Sequence, residues 1–221
     1  MKSITLEIDF LGISTEVAQV RPSVTVGQLA QEILVEFGLE YPFLNQHQPQ
    51  NYALRTAVGS IDLPPDQPIH QIGKRSILYF REKDVVVPEM AVPIDHPLYL
   101  RYRSHVFKIS WTPAFIGRPI PGDADNARLA VDLEPFSLAV SRRQAEIVWA
   151  DGRFAIRSLS ENPILLNGSL LPSNPDSTVS ALPLQDGDKI LLQRSGILLT
   201  CLQPASLSQR KAAPPVLGGH S

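Results

Sequence analysis

Apolar and polar residues alternate over the first positions of the chain. Ile4, Leu6, Ile8 and Phe10 interleave with Ser3, Thr5, Glu7 and Asp9. A period of two sends one set to each face of a strand, so the pattern predicts a half-buried strand from Ser3 to Phe10. Gly12 marks a turn into a second run, Glu16 to Val20. The period then changes. Val26, Leu29, Ala30, Ile33, Leu34 and Phe37 recur at helical spacing. Thr25, three residues before Gln28, makes a capping box at the start of that helix, and Gly38 supplies a stop at its end. After a loop rich in Gln and Asn, Tyr52-Ala53-Leu54 and Ser76-Ile77-Leu78-Tyr79-Phe80 predict further strands.

Two strands, a helix and later strands form a β-grasp order, an α+β architecture for the N-terminal part, residues 1–84. Beyond it, Pro88, Pro93 and Pro97 stand in a stretch with no helical period. Such spacing reads as a semi-rigid linker over 85–97. Short apolar runs then recur: Leu98–Tyr102, Val106–Ile109, Ala114–Ile116, Leu129–Val131, Ala145–Trp149, Arg153–Ile156, Gly187–Leu192 and Gly196–Cys201. Turn signals separate several of them, at Asp151-Gly152, Asn167-Gly168 and Asp186-Gly187. That rhythm predicts an all-β sandwich over 98–204. The tail, 205–221, holds Pro214, Pro215, Gly218 and Gly219 and little to bury, and is expected to be disordered. The fold class expected is therefore mainly β, a β-grasp domain followed by a sandwich.

Composition narrows the function more than the fold. The chain has 221 residues, is 43% hydrophobic and carries a net charge of −2, which gives no push toward nucleic acid or anionic membranes. Its 20 prolines favour strands and loops over long helices. Cys201 is the single cysteine, so no intrachain disulfide can form and a reducing compartment is the default. The first residues lack the apolar run of a signal peptide, and no segment approaches the ~18 apolar residues of a membrane span. A cytoplasmic location without membrane insertion is expected. His47, His70, His96, His105 and His220 show no metal-ligand spacing. Asp123, Asp125 and Glu134 mimic part of a calcium loop, but Ala127 and Arg128 occupy positions that need a ligand and a turn glycine. Neither a nucleophile elbow nor a phosphate-binding Gly-Lys-Ser/Thr loop is present, so the expectation is a protein that is not an enzyme and needs no cofactor.

Three islands carry the candidate chemistry. They are Gly117-Arg118, Ser141-Arg142-Arg143-Gln144-Ala145-Glu146-Ile147, and Ser160 through Gly168 with Asn162 and Asn167-Gly168. Each puts an Arg, Ser or Asn at the end of an apolar run, where a strand gives way to a loop and binding residues collect. Guanidinium and hydroxyl donors converging on such loops match the oxygens of a phosphate. In order and spacing the islands resemble the forkhead-associated (FHA) family, whose modules bind phosphothreonine peptides. Leu184-Gln185-Asp186-Gly187-Asp188-Lys189-Ile190 matches the usual end of that pattern, and the resemblance covers about Leu98 to Leu202. It implies that Arg118 and Ser141 hold the phosphate, with Arg142 beside them and Asn162 contacting the peptide backbone. Arg143 is left out of the site, because its stem is expected to pack on the sheet.

The pattern is departed from in four places. Gln144 stands for the family's structural His, which ties loops together, and an amide can do part of this with one donor group and one acceptor. Glu161 replaces a common Thr and would repel a phosphate. Pro163-Ile164 replace a Gly-Thr pair, and Asp123 and Asp125 add negative charge nearby. The N-terminal part resembles ubiquitin in its second half, with Ile69-His70-Gln71-Ile72 at a short helical turn, and is most similar to the YukD-like proteins of bacterial type VII secretion. The reading is a bacterial adaptor: a ubiquitin-like domain joined to a phosphothreonine-binding signalling module, with secretion or kinase-signalling proteins as partners. The alternative is a phospho-independent component of a larger assembly such as a type VII-like secretion system. The terminal Gly218-Gly219 resembles the end of ubiquitin-type modifiers, but His220-Ser221 follow and a flexible tail is the better account.

Overall fold

The computed structural model describes residues 3–45, 48–57, 61–72, 77–173 and 180–203. His47, Ser76, His220, Gly218, Gly219 and the whole expected tail lie outside the described residues. Contacts divide the chain into two units, Met1–Val85 and Val86–Ser221.

The first unit begins with the alternating segment, which forms β1 (Ile4–Phe10). It folds back through Gly12 (φ +72) onto β2 (Ser14–Val20), with Ile4 opposite Val20 and Phe10 opposite Ser14. Helix α1 (Val26–Phe37) follows. Its capping box is complete: the Thr25 hydroxyl accepts from the Gln28 backbone N–H, and the Gln28 side chain accepts from the N–H of Thr25. Val26, Leu29, Ala30, Ile33 and Leu34 are its buried face. Gly38 follows the last turn as expected, but at φ −64, so the left-handed freedom of glycine is not what ends this helix. Two further strands, β3 (Tyr52–Arg55) and β4 (Ile77–Glu82), complete a mixed sheet in the order β2-β1-β4-β3. The parallel β1–β4 pair at its centre is what the intervening helix allows. Phe10 stacks on Phe37 and Phe80 at centroid distances of 4.5 and 5.7 Å, joining helix to sheet. A 3-10 turn over Ile69–Gln71 buries Ile69. This is a β-grasp topology.

The second unit is a two-sheet sandwich. Its strands in chain order are β5 (Val92–Tyr102), β6 (His105–Thr112), β7 (Ala114–Gly117), β8 (Leu129–Asp132), β9 (Arg143–Ala150), β10 (Arg153–Ser158), β11 (Ile164–Leu166), β12 (Ser169–Leu170), β13 (Leu182–Pro183), β14 (Lys189–Leu192) and β15 (Ile197–Leu202). One sheet runs β13-β10-β9-β7-β8 and the other β12-β11-β14-β15-β5-β6. Ile116, Val131, Ala145, Ile147 and Ile156 from the first meet Leu98, Leu100, Ile109, Ile190, Leu199 and Cys201 from the second in one buried cluster. Burial pushes the Cys201 thiol up to about 12, so it is packing and not a nucleophile.

The structure corrects the sequence reading at the strands. β5 starts at Val92, inside the stretch 85–97 expected as linker. Val92 and Pro93 face Thr112 and Trp111, and the register slips between Pro93 and Leu98. The irregularity is the physical reason prolines fit, since a proline cannot donate to a regular ladder. The short strands β11, β12 and β13 fall in segments for which the sequence predicts no strand. Asn167 (φ +52) and Gly168 (φ +85) make the tight turn between β11 and β12, as an Asn-Gly pair predicts.

Because the chain divides into two compact units at Val85, fragments 1–85 and 86–221 are each expected to fold alone. Circular dichroism should show helix and strand in the first and chiefly strand in the second, each with a cooperative melt. Unfolded fragments beside a single transition in the whole chain would contradict the two-unit division.

Candidate functional site

Loops at one end of the sandwich are held together by a close backbone approach. β7 ends at Gly117, whose Cα lies so near the start of β9 that a Cβ built there would sit 2.1 Å from the Arg142 carbonyl oxygen and 3.0 Å from that of Ser141. No side chain fits. The next residue, Arg118, donates its backbone N–H to that same Arg142 oxygen at 3.1 Å. Glycine before arginine is thus a steric requirement for bringing Arg118 and Ser141 to neighbouring positions. The Arg118 side chain is half-buried and gives its Nε–H to the Val140 carbonyl at 3.4 Å, one of the five donors a guanidinium carries.

The second tie crosses from the start of β9 to the loop between β10 and β11. Gln144 is 1% exposed. Its Oε1 accepts from the Ser141 backbone N–H at 2.9 Å, and its Nε2 donates to the Asn162 carbonyl at 2.9 Å. Its own carbonyl accepts from Leu159 N–H. The amide expected to do part of a loop-tying role has both ends engaged in it.

Asn162 is the hub. Its backbone N–H goes to Ser160 Oγ (3.1 Å) and its Nδ2 to Ser141 Oγ (2.6 Å), while its Oδ1 accepts from Arg194 (3.2 Å). The Ser141 and Ser160 hydroxyls are 2.7 Å apart. An amide oxygen has a second lone pair and an amide nitrogen a second hydrogen, so Asn162 keeps capacity for a further partner. Arg142 and Arg194 are exposed. All four predicted residues, Arg118, Ser141, Arg142 and Asn162, therefore meet at this end. Ser160 and Arg194 were missed. Ser160 stood in the third island as a hydroxyl two positions before Asn162, and Arg194 in the turn Gln193-Arg194-Ser195-Gly196 between two apolar runs.

The carboxylates after Arg118 are neutralised locally. Asp125 pairs with Arg128 and with Arg143, each at 2.5 Å, and Asp123 lies 3.8 Å from Arg143. The hydrogen bond from Arg128, with the charges of Arg143 and Arg128, outweighs burial and holds Asp125 below the usual carboxylate range. Both arginines lie over the Phe115 ring, at 4.8 and 5.6 Å, so Arg143 packs on the sheet with its charge spent on Asp125. Glu161 is exposed at the rim. Among the described residues no group of three or more His, Cys, Asp or Glu could hold a metal, and no helix is long and apolar enough to cross a membrane.

Residues 115–193 match the family model of the FHA domain. This stretch is an FHA domain. Both ties just described, the backbone approach at Gly117 and the side-chain amide of Gln144, fall inside it. The chain is similar to the N-terminal FHA domain of S. cerevisiae Rad53p in complex with a phosphothreonine peptide (18% identity over 52% of this chain and 98% of that one, TM-score 0.40). It is also similar to FHA-1 of Mycobacterium tuberculosis Rv1747 (16% identity, 51% of this chain and 98% of that one, TM-score 0.38). A third similar structure comes from a structural and functional analysis of phosphothreonine-dependent FHA domain interactions (23% identity, 48% and 95%, TM-score 0.36). No curated protein matches the chain.

Gly117→Ala tests the close approach in the FHA domain. Its methyl group must displace the Arg142 carbonyl, so a loss of about 1–3 kcal/mol of stability is expected from overpacking. Thermal melts of the second unit read it. An unchanged melting temperature would mean the two strands separate at no cost, against the geometry at Arg142.

Proposed function

We propose that the FHA domain recognises phosphothreonine-containing protein segments, with Arg118 and Ser141 holding the phosphate and Arg142 and Asn162 assisting. The chain is then a non-enzymatic adaptor whose β-grasp unit serves as a second interaction module. The observation that carries this reading is the double tie on Ser141. Its backbone is fixed by Gln144 and its hydroxyl by Asn162, at a point where Arg118 is held to Arg142. Preset donors of this kind suit an anion of about −1.5 to −2 charge with three acceptor oxygens. Neutralisation of Asp123 and Asp125 by Arg143 and Arg128 removes one objection raised by the sequence.

A second reading is favoured by Glu161. An exposed carboxylate in the loop of Asn162 repels a phosphate, and fits instead a phospho-independent interaction module within a larger assembly. The ubiquitin-like resemblance of the first unit to YukD-like proteins points to a bacterial type VII-like secretion system as that assembly, with a cytoplasmic location. Under the first reading, kinase-signalling proteins supply the partner.

Replacing Arg118 separates the two. A charge-assisted hydrogen bond contributes on the order of 1.5–3 kcal/mol. Arg118→Ala should therefore weaken binding to a degenerate phosphothreonine peptide library about tenfold or more, while the melting temperature barely moves. Equal binding of phosphorylated and unphosphorylated libraries by the unaltered protein would reject the phosphothreonine reading in favour of the second.

A further inference from the structure

The site holds two hydroxyls 2.7 Å apart, and only one of them, that of Ser141, has a role in the reading above. Counting hydrogens shows what the other does. Each hydroxyl has one hydrogen to give and two lone pairs to fill. Ser141 Oγ accepts from Asn162 Nδ2 at 2.6 Å, and Ser160 Oγ accepts from the Asn162 backbone N–H at 3.1 Å. One hydrogen bridges the pair. If it came from Ser141, that residue would have nothing left to offer an anion. If it comes from Ser160, Ser141 accepts twice, both lone pairs are filled, and its own hydrogen is free to donate outward.

We propose that Ser160 is a positioning residue: by donating its hydroxyl hydrogen to Ser141, it makes Ser141 an outward-facing donor for the phosphate. This rests on the phosphothreonine reading. The surrounding contacts hold Ser160 in place for the task. Its carbonyl accepts from the hydroxyls of Ser158 (2.9 Å) and Ser173 (3.2 Å), which fixes the backbone from which the hydroxyl projects. Arg194 on Oδ1 orients the Asn162 amide so that Nδ2 faces Ser141, which keeps that lone pair filled. An incoming phosphate selects the arrangement in which Ser160 donates, because a lone pair of Ser141 aimed at an anion repels it. The chain of hydrogen bonds also polarises each member, strengthening the terminal donor.

The test is a double-mutant cycle on the full chain, using a degenerate phosphothreonine peptide library and its unphosphorylated counterpart as probes. Ser160→Ala should weaken phosphopeptide binding about three- to tenfold, the scale of one net hydrogen bond. Ser160→Thr, which keeps the hydroxyl, should restore it. Ser160→Cys keeps the volume with only a weak S–H donor and should behave like alanine, so the test survives if the alanine variant folds poorly. In a Ser141→Ala background, Ser160→Ala should cost nothing further, since the hydroxyl it positions is gone. A purely structural Ser160 predicts the same loss in both backgrounds. That additivity, or unchanged binding by Ser160→Ala, overturns the proposal while a phosphate preference of the unaltered protein leaves the phosphothreonine reading standing. Absence of any such preference overturns both.

Discussion

One buried amide holds the candidate site together. Gln144 spans two loops with its oxygen on Ser141 N–H and its nitrogen on the Asn162 carbonyl, at 1% exposure. A buried amide with unmet donors or acceptors costs several kcal/mol, so both loops are bound to supply its partners. The side-chain contacts of Ser141 and Asn162 are built on that placement. Ser141 stands where its hydroxyl meets Asn162 and Ser160, and Asn162 stands where Arg194 can reach it. Gly117 supports the arrangement from below by letting two strand ends approach within a distance that excludes a side chain.

The arginines of this end show how neighbouring cations acquire different roles. Arg143 and Arg128 cover Phe115 and bind Asp125, so their charge is used within the sheet face. Arg118, Arg142 and Arg194 lie on the loop side, where an anionic partner can reach them. Arg142 stands in the turn before β9 and Arg143 is the first residue of that strand, which is why they differ although they are neighbours in sequence. Glu161, exposed in the loop of Asn162, sets a negative charge against this arrangement.

The strands with strict alternation and the capped helix were legible from the sequence because local chemistry determines them. Thr25 and Gln28 form their reciprocal caps within three positions, and the Asn167-Gly168 pair makes its turn as its residue types predict, with Asn167 further tied to Asp188 and Lys189. β5 was not placed at its true start, because the prolines within it read as breakers and only its pairing with β6 across an irregular register makes them admissible. β11, β12 and β13 are two or three residues long and cannot show a period. At the site, Arg118 and Ser141 were visible as residue types at strand ends. The part of Arg194 depends on a hydrogen bond to a residue 32 positions away, and that of Ser160 on a contact 19 positions away. Such contacts have no local signal.

Under the proposed function, this end of the sandwich and no other surface meets a phosphorylated partner. Backbone amide chemical shifts followed by NMR during titration with phosphothreonine and plain threonine peptide libraries test it most directly. Shifts are expected to concentrate at Gly117-Arg118, Ser141-Arg142, Ser160 to Asn162 and Arg194, with the phosphorylated library alone. Shifts centred on the opposite end, around the Asp151-Gly152 turn, or equal responses to both libraries, would contradict it.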